Sequence, residues 1–131
     1  RDLQSDLGLS MLFITHDLSV LVDICDRISI MYAGRIVETG PAEEVFLSPR
    51  HPYTRALGGA FPEIGDAGYR YSPAGLAGDP PDARELPTGC VFHPRCPEVM
   101  EACSREMVDL WPAGDRRTAA CLLVKGEGAG R

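Results

Sequence analysis

Apolar and polar positions change rhythm several times along this chain, and each change predicts an element. Residues 1–7 read as part of a helix that closes on Gly8, so that the chain begins inside an element and reads as a piece of a longer protein. Met11-Leu12-Phe13-Ile14 is apolar without alternation, the pattern of a strand buried on both faces of a largely parallel sheet. Leu18, Leu21, Val22 and Cys25 then fall at i, i+3, i+4 and i+7. They form one face of a helix that Asp17 can cap, and Cys25 becomes a small core residue. Ile28 to Tyr32 and Arg35 to Glu38 are β-rich and are joined by Ala33-Gly34, which predicts a hairpin.

Gly40-Pro41 opens a short helix, with Pro41 at its first position and Glu43 and Glu44 in its first turn, and Ser48-Pro49 ends it. A second short helix is expected from His51-Pro52 to about Leu57, where Gly58-Gly59 weakens it. Residues 62–89 are crowded with Gly and Pro and read as a linker or an arm laid over another surface. Cys90 to Cys121 forms the last unit, and the Gly-rich residues 125–131 are expected to fray. The predicted class is α/β, divided into residues 1–47, 48–89, 90–124 and 125–131.

The formal charge is −6, and the 13 Lys and Arg residues are scattered, which argues against direct nucleic-acid binding. No apolar run approaches the ~18–20 residues that cross a bilayer, so membrane contact is expected through a partner protein. Five cysteines without an export signal suggest a reducing compartment, where thiols serve as metal ligands, catalytic groups or core residues. They divide into Cys25 and a group of four.

Cys90, Cys96, Cys103 and Cys121 are separated by 5, 6 and 17 residues. Four thiolates can close a shell around zinc or hold a cubane cluster, and loops this wide suit the larger inorganic core better than tight C-x2-4-C pairs do. Disulfide-paired or unligated thiols are the remaining alternatives. His93 could replace one sulfur but sits between two stronger ligands beside Pro94 and reads as a turn residue. Phe92, Pro97 and Trp111-Pro112 are placed to shield such a centre from water.

His16 directly follows the apolar run. A polar residue at the carboxyl end of a buried strand can meet a ligand, and an imidazole there could hydrogen-bond a terminal phosphate and the water attacking it. On local pattern alone, a His that merely caps or packs is the favoured reading.

Taken together, Phe13-Ile14-Thr15-His16-Asp17-Leu18-Ser19-Val20, Cys25-Asp26-Arg27-Ile28 and Met31 to Gly40 resemble the end of an ABC-transporter ATPase domain. The resemblance implies that His16 is the switch-loop histidine contacting the ATP γ-phosphate. Ser48-Pro49-Arg50-His51-Pro52-Tyr53-Thr54-Arg55-Ala56-Leu57 is similar to the segment that opens the C-terminal extension of dipeptide and oligopeptide importer subunits. Gly89-Cys90-Val91-Phe92-His93-Pro94-Arg95-Cys96 resembles that extension's cysteine pattern.

The family implies ATP with magnesium as cofactor and a [4Fe–4S] cluster on Cys90, Cys96, Cys103 and Cys121, with zinc as the alternative. It implies as partners a second ATPase subunit, membrane-spanning permease subunits and, indirectly, an extracytoplasmic peptide-binding protein, with a peripheral position on the cytoplasmic side of the membrane. The phosphate-binding loop, the signature loop and the acidic pair of the family are not in these residues, so the chain alone is expected to be inactive. A related importer for nickel or glutathione and a stand-alone metal-binding module are the rival readings. Gly58-Gly59 and residues 64–77 depart from the family pattern.

Overall fold

A computed structural model describes residues 2–60 and 76–128. The expected arm lies partly outside them, and its described end, residues 76–88, forms no helix or strand. Helix α1 (Asp2–Leu7) closes as anticipated. Gly8 takes a positive φ of 61°, and the Leu9 N–H reaches back to the Gln4 carbonyl at 3.1 Å, the longer bond of a Schellman closure. Helix α2 (Leu18–Ile24) starts after Asp17, whose side chain accepts the Val20 N–H at 3.4 Å. Cys25 is half-buried against the main core.

The strand expected at Met11–Ile14 is not formed. Those residues are irregular and exposed, with Leu12 and Ile14 each at least 90% accessible. A strand buried on both faces requires neighbouring strands and covering helices, and the sheet of this chain is built from other segments. That sheet is antiparallel, not parallel, with strand order β1-β2-β4-β3.

Strands β1 (Arg27–Tyr32) and β2 (Arg35–Pro41) form the predicted hairpin. Ala33 and Gly34 both adopt positive φ, 48° and 76°, as a two-residue turn matched to strand twist requires. The register slips after Ile30 and leaves Val37 as a bulge residue between the Ile30–Glu38 and Met31–Ile36 pairs. Val37 is buried, and its carbonyl accepts the Ala120 N–H at 2.8 Å. Strand β4 (Arg117–Ala119) pairs with β2 and with β3 (Trp111–Gly114), so part of the long Cys103–Cys121 connection becomes sheet.

Helix α3 (Ala42–Leu47) follows Pro41, which sits at the N-cap rather than the first helical position, and ends at Ser48. Helix α4 (Pro52–Ala60) runs through Gly58-Gly59. Glycine propensity is a weak constraint here, because Tyr53 and Leu57 of α4 pack against the core. Helix α5 (Leu122–Gly128) covers part of the stretch expected to fray. The core joins Leu18, Ile28, Ile30, Tyr32, Val37, Val45, Val91 and Phe92, so the first cysteine turn shares one interior with α2, the hairpin and α3. Among the described residues, no helix is long and apolar enough to cross a membrane.

Candidate functional site

Three segments bring the four distant cysteines to one place. The first is a pair of tight turns. The Cys90 carbonyl accepts the His93 N–H at 3.0 Å and His93 Nδ1 at 2.9 Å, and the Cys96 N–H returns to the His93 carbonyl at 3.3 Å. This 3₁₀ turn at His93–Arg95, with Pro94 inside it, carries Cys96 back toward Cys90.

The second contact is backbone to backbone. The Cys90 N–H donates to the Cys103 carbonyl at 2.8 Å, and Thr88 Oγ1 donates to the Ser104 carbonyl at 2.9 Å. Gly89 makes this approach possible: its φ is +72°, and a Cβ there would lie 2.4 Å from the Cys103 carbonyl oxygen. Gly89→Ala is therefore expected to push the Cys90 and Cys103 segments apart, at a cost of about 2 kcal/mol or more. Cysteine alkylation should show it, with Cys103 changing from protected to reactive.

The third segment arrives with the sheet. Ala119 ends β4, Ala120 is tied to Val37, and Cys121 follows, packed with Ala113, Ala119, Val124 and Trp111.

Cys90, Cys96, Cys103 and Cys121 all line one cavity of about 10 Å³, together with His51, Phe92, His93 and Met100. The structure thus brings together the four cysteines that spacing had grouped, all as free thiols, and leaves Cys25 and exposed His16 outside this cavity. Burial pushes the Cys96 thiol up to about 11 and raises those of Cys90 and Cys121, against the pull of nearby backbone N–H groups; the neighbouring thiols raise all three further. For Cys90, Cys96 and Cys121, the protonated thiol is thereby favoured unless a cation joins them.

The closed four-sulfur shell expected here is not formed, however. Among the described residues no group of three or more His, Cys, Asp or Glu is arranged to hold a metal ion. The donor chemistry fits a thiolate-held centre. The enclosed space is about that of one water molecule, so a cubane would have to part the sulfurs much further than a single ion would.

Pattern reading passed over the polar network beneath the site. Glu38 of β2 is fully buried, and its carboxylate accepts four hydrogen bonds. Oε1 takes the Arg50 N–H at 3.0 Å and Arg117 Nε and Nη2 at 3.1 and 2.5 Å, and Oε2 takes the His51 N–H at 2.9 Å. Arg117 Nη2 also donates to the Ser48 carbonyl. Gly40 leaves room for the stem of the Arg117 side chain, since a Cβ there would meet Arg117 Cγ at 2.9 Å.

Beside the network, Tyr32, Tyr53 and Phe92 pack ring to ring at 4.6–5.3 Å and join the hairpin, α4 and the first cysteine turn. Arg95 donates to the Ala77 carbonyl at 3.0 Å, the Leu76 carbonyl at 3.2 Å and the Tyr32 hydroxyl at 3.4 Å, pinning the described end of the arm. Arg35-Ile36-Val37-Glu38-Thr39 does not alternate polar and apolar residues, so no sequence signal distinguished Glu38 as buried rather than at the surface.

The family model for the C-terminal region of oligopeptide/dipeptide transporters matches residues 37–103, which contain His51-Pro52-Tyr53 and three of the four cysteines. The chain belongs to this family. Proteins named as peptide import ATP-binding proteins share 42% identity over 128 residues in Brucella ovis, and 44% over 122 residues in Brucella abortus and Brucella melitensis. The matches cover 93% of this chain but only 37–38% of those relatives. This member of the transporter family thus spans under two fifths of their length.

Proposed function

We propose that this chain is the C-terminal part of the ATP-binding subunit of an ABC importer that couples ATP hydrolysis to uptake of dipeptides or oligopeptides. The observation that carries the reading is the family match over residues 37–103, supported by relatives named for peptide import along nearly the whole chain. The subunit would pair with a second ATPase subunit and with membrane-spanning permease subunits on the cytoplasmic side of the membrane. An extracytoplasmic peptide-binding protein would deliver the substrate.

His16 is assigned to the γ-phosphate of ATP. It stands exposed between the 11–14 segment and the cap of α2, open to a ligand held by other parts of the subunit. In the full-length subunit, His16→Ala is expected to reduce ATP turnover by roughly 100-fold while leaving nucleotide affinity within a few-fold, because the contact strengthens as charge develops on the transferring phosphoryl group. Steady-state ATPase assays with nucleotide-binding titrations check this. Near-wild-type turnover would remove the assignment. The 131-residue chain alone is expected to show no micromolar ATP affinity, since one hydrogen bond worth about 1–3 kcal/mol does not replace a phosphate cradle.

Cys90, Cys96, Cys103 and Cys121 are assigned to a metal centre with a structural role, a [4Fe–4S] cluster by family resemblance and zinc as the alternative. When bound, such a centre would supply cationic charge that stabilises the four thiolates and staples three chain segments together. Their shared cavity supports this reading, and its small volume favours keeping zinc as the alternative.

A further inference from the structure

The cavity shared by the four cysteines has room for about one water, so anything that enters it must pass through its wall. Cys103 and Cys121 are buried, whereas Cys90 and Cys96 are half-buried, and each of these two lines a separate surface groove. The groove at Cys96, about 650 Å³, lies between Pro52, Ala56 and Gly59 of α4, Leu76 of the arm, and Glu98. The groove at Cys90, about 400 Å³, lies between the hairpin at Val37 and residues 107–110.

Two differences separate the grooves. Pro52, Cys96 and Glu98 line both the first groove and the cysteine cavity, whereas among the described residues Cys90 alone is shared by the second groove and that cavity. The backbone at the two thiols is also held differently. The Cys90 N–H donates to the Cys103 carbonyl at 2.8 Å, and the Cys90 carbonyl accepts His93 N–H and Nδ1 at 3.0 and 2.9 Å. At Cys96 the N–H donates to the His93 carbonyl, and the carbonyl accepts the Val99 N–H, both at 3.3 Å. Those two bonds are longer than the usual ~2.7–3.2 Å and correspondingly weaker. On the rim, Arg55 Nη1 and Glu98 Oε1 pair at 2.5 Å, but both side chains are well exposed, so the pair does little to lock the mouth.

We propose that the groove beside α4 is the port of the cysteine site, and that Cys96 is the thiol that an incoming metal ion or thiol reagent meets first. For the metal ion this rests on the centre assigned above; for the reagent it does not. A port differs from a mere gap between α4 and the turn in its kinetics. Filling a port slows entry and exit by the same factor and leaves the equilibrium constant alone, because only the barrier between the two end states changes. Filling a gap that leads nowhere changes no rate.

Two positions allow the groove to be filled. Ala56 lines it without lining the cysteine cavity, and a Cβ at Gly59 would meet nothing within 4 Å. The experiment compares wild type, Ala56→Trp, Gly59→Trp and, to fill the other groove, Leu110→Trp. Each full-length subunit is stripped of metal, kept reduced and pulsed with iodoacetamide, with mass spectrometry at each cysteine. Every thiol is compared with itself in wild type, which removes differences in intrinsic reactivity. Cys96 is expected to alkylate about tenfold more slowly in the α4 variants, because access then waits for local opening, and within about twofold of wild type in Leu110→Trp. Structural damage has the opposite sign, since it exposes thiols. Slowing by either α4 variant with Leu110→Trp unchanged carries the assignment. Wild-type or faster alkylation of Cys96 in both α4 variants, or slowing by Leu110→Trp, overturns it.

Zinc alone, mixed rapidly with the same stripped proteins in the presence of a metal indicator, gives the second readout. Loading and chelator-driven release should both slow about tenfold in the α4 variants while zinc affinity stays within about twofold of wild type. Weaker binding with an unchanged entry rate would overturn the port. Wild-type protein that takes up no zinc yet shows the alkylation pattern would remove the metal assignment and leave the port standing.

Discussion

Serine at any one of Cys90, Cys96, Cys103 or Cys121 is expected to abolish stoichiometric metal binding by the full-length subunit, while Cys25→Ser leaves it intact. All four thiols face one cavity, whereas Cys25 packs apart from it against the main core. Structural metal–thiolate centres are worth about 10–16 kcal/mol, so losing one of four ligands removes roughly 3 kcal/mol and weakens binding at least ~100-fold.

The closing of the Cys103–Cys121 loop does not oppose this strongly. Loop entropy grows by only about 0.6 kcal/mol per doubling of length, and β3 and β4 already fold much of that loop onto β2. Iron, acid-labile sulfide and zinc should be measured on anaerobically prepared protein. About four iron and four sulfide per chain identify the cluster, and about one zinc with neither identifies the alternative. Retention of metal by three or more of the single serine variants would end the shared-site reading.

Arg117→Met is the second large effect. It leaves the Glu38 carboxylate fully buried with only backbone N–H donors, and removal of one partner of a buried pair costs about 3–5 kcal/mol. The damage should be local and directed. β4 would loosen from β2, and the Ser48–His51 segment would lose its anchor, so the Ala120 and His51 amides should exchange with solvent at least ~100-fold faster than in wild type. Exchange far from this region, in α2 for instance, should change little.

A double variant, Glu38→Gln with Arg117→Met, removes the stranded charge and is expected to recover part of the loss, as neutral replacements of buried pairs often do. If the single variant exchanges like wild type, the Glu38–Arg117 pair does not anchor β4.

The local grammar of this chain was open to reading. The Gly8 closure of α1, the Asp17 cap of α2, the Ala33-Gly34 turn and the stop at Ser48 each depend on a few adjacent residues whose backbone preferences are strong. Spacing also separated Cys25 from the other four thiols, and the residues of the hairpin and of the His51-Pro52-Tyr53 segment carried the family resemblance.

Other features depended on what lies alongside. Met11–Ile14 has the composition of a buried strand, but a strand exists only where neighbours accept its hydrogen bonds, and among the described residues none does so. Glu38, Arg117 and His51 carry ordinary polar side chains in sequence. Only the bulge at Val37, the return of β4 onto β2 and the space above Gly40 turn them into a buried network under the cysteine site. Residues 79 positions apart, as Glu38 and Arg117 are, leave no periodic trace of their meeting. Sequence by itself determined the turns, the caps and the candidate ligands, because those are short-range preferences; the tertiary structure alone decided the sheet order, the buried ion pair and the burial of His51, because burial is a property of the whole packed chain.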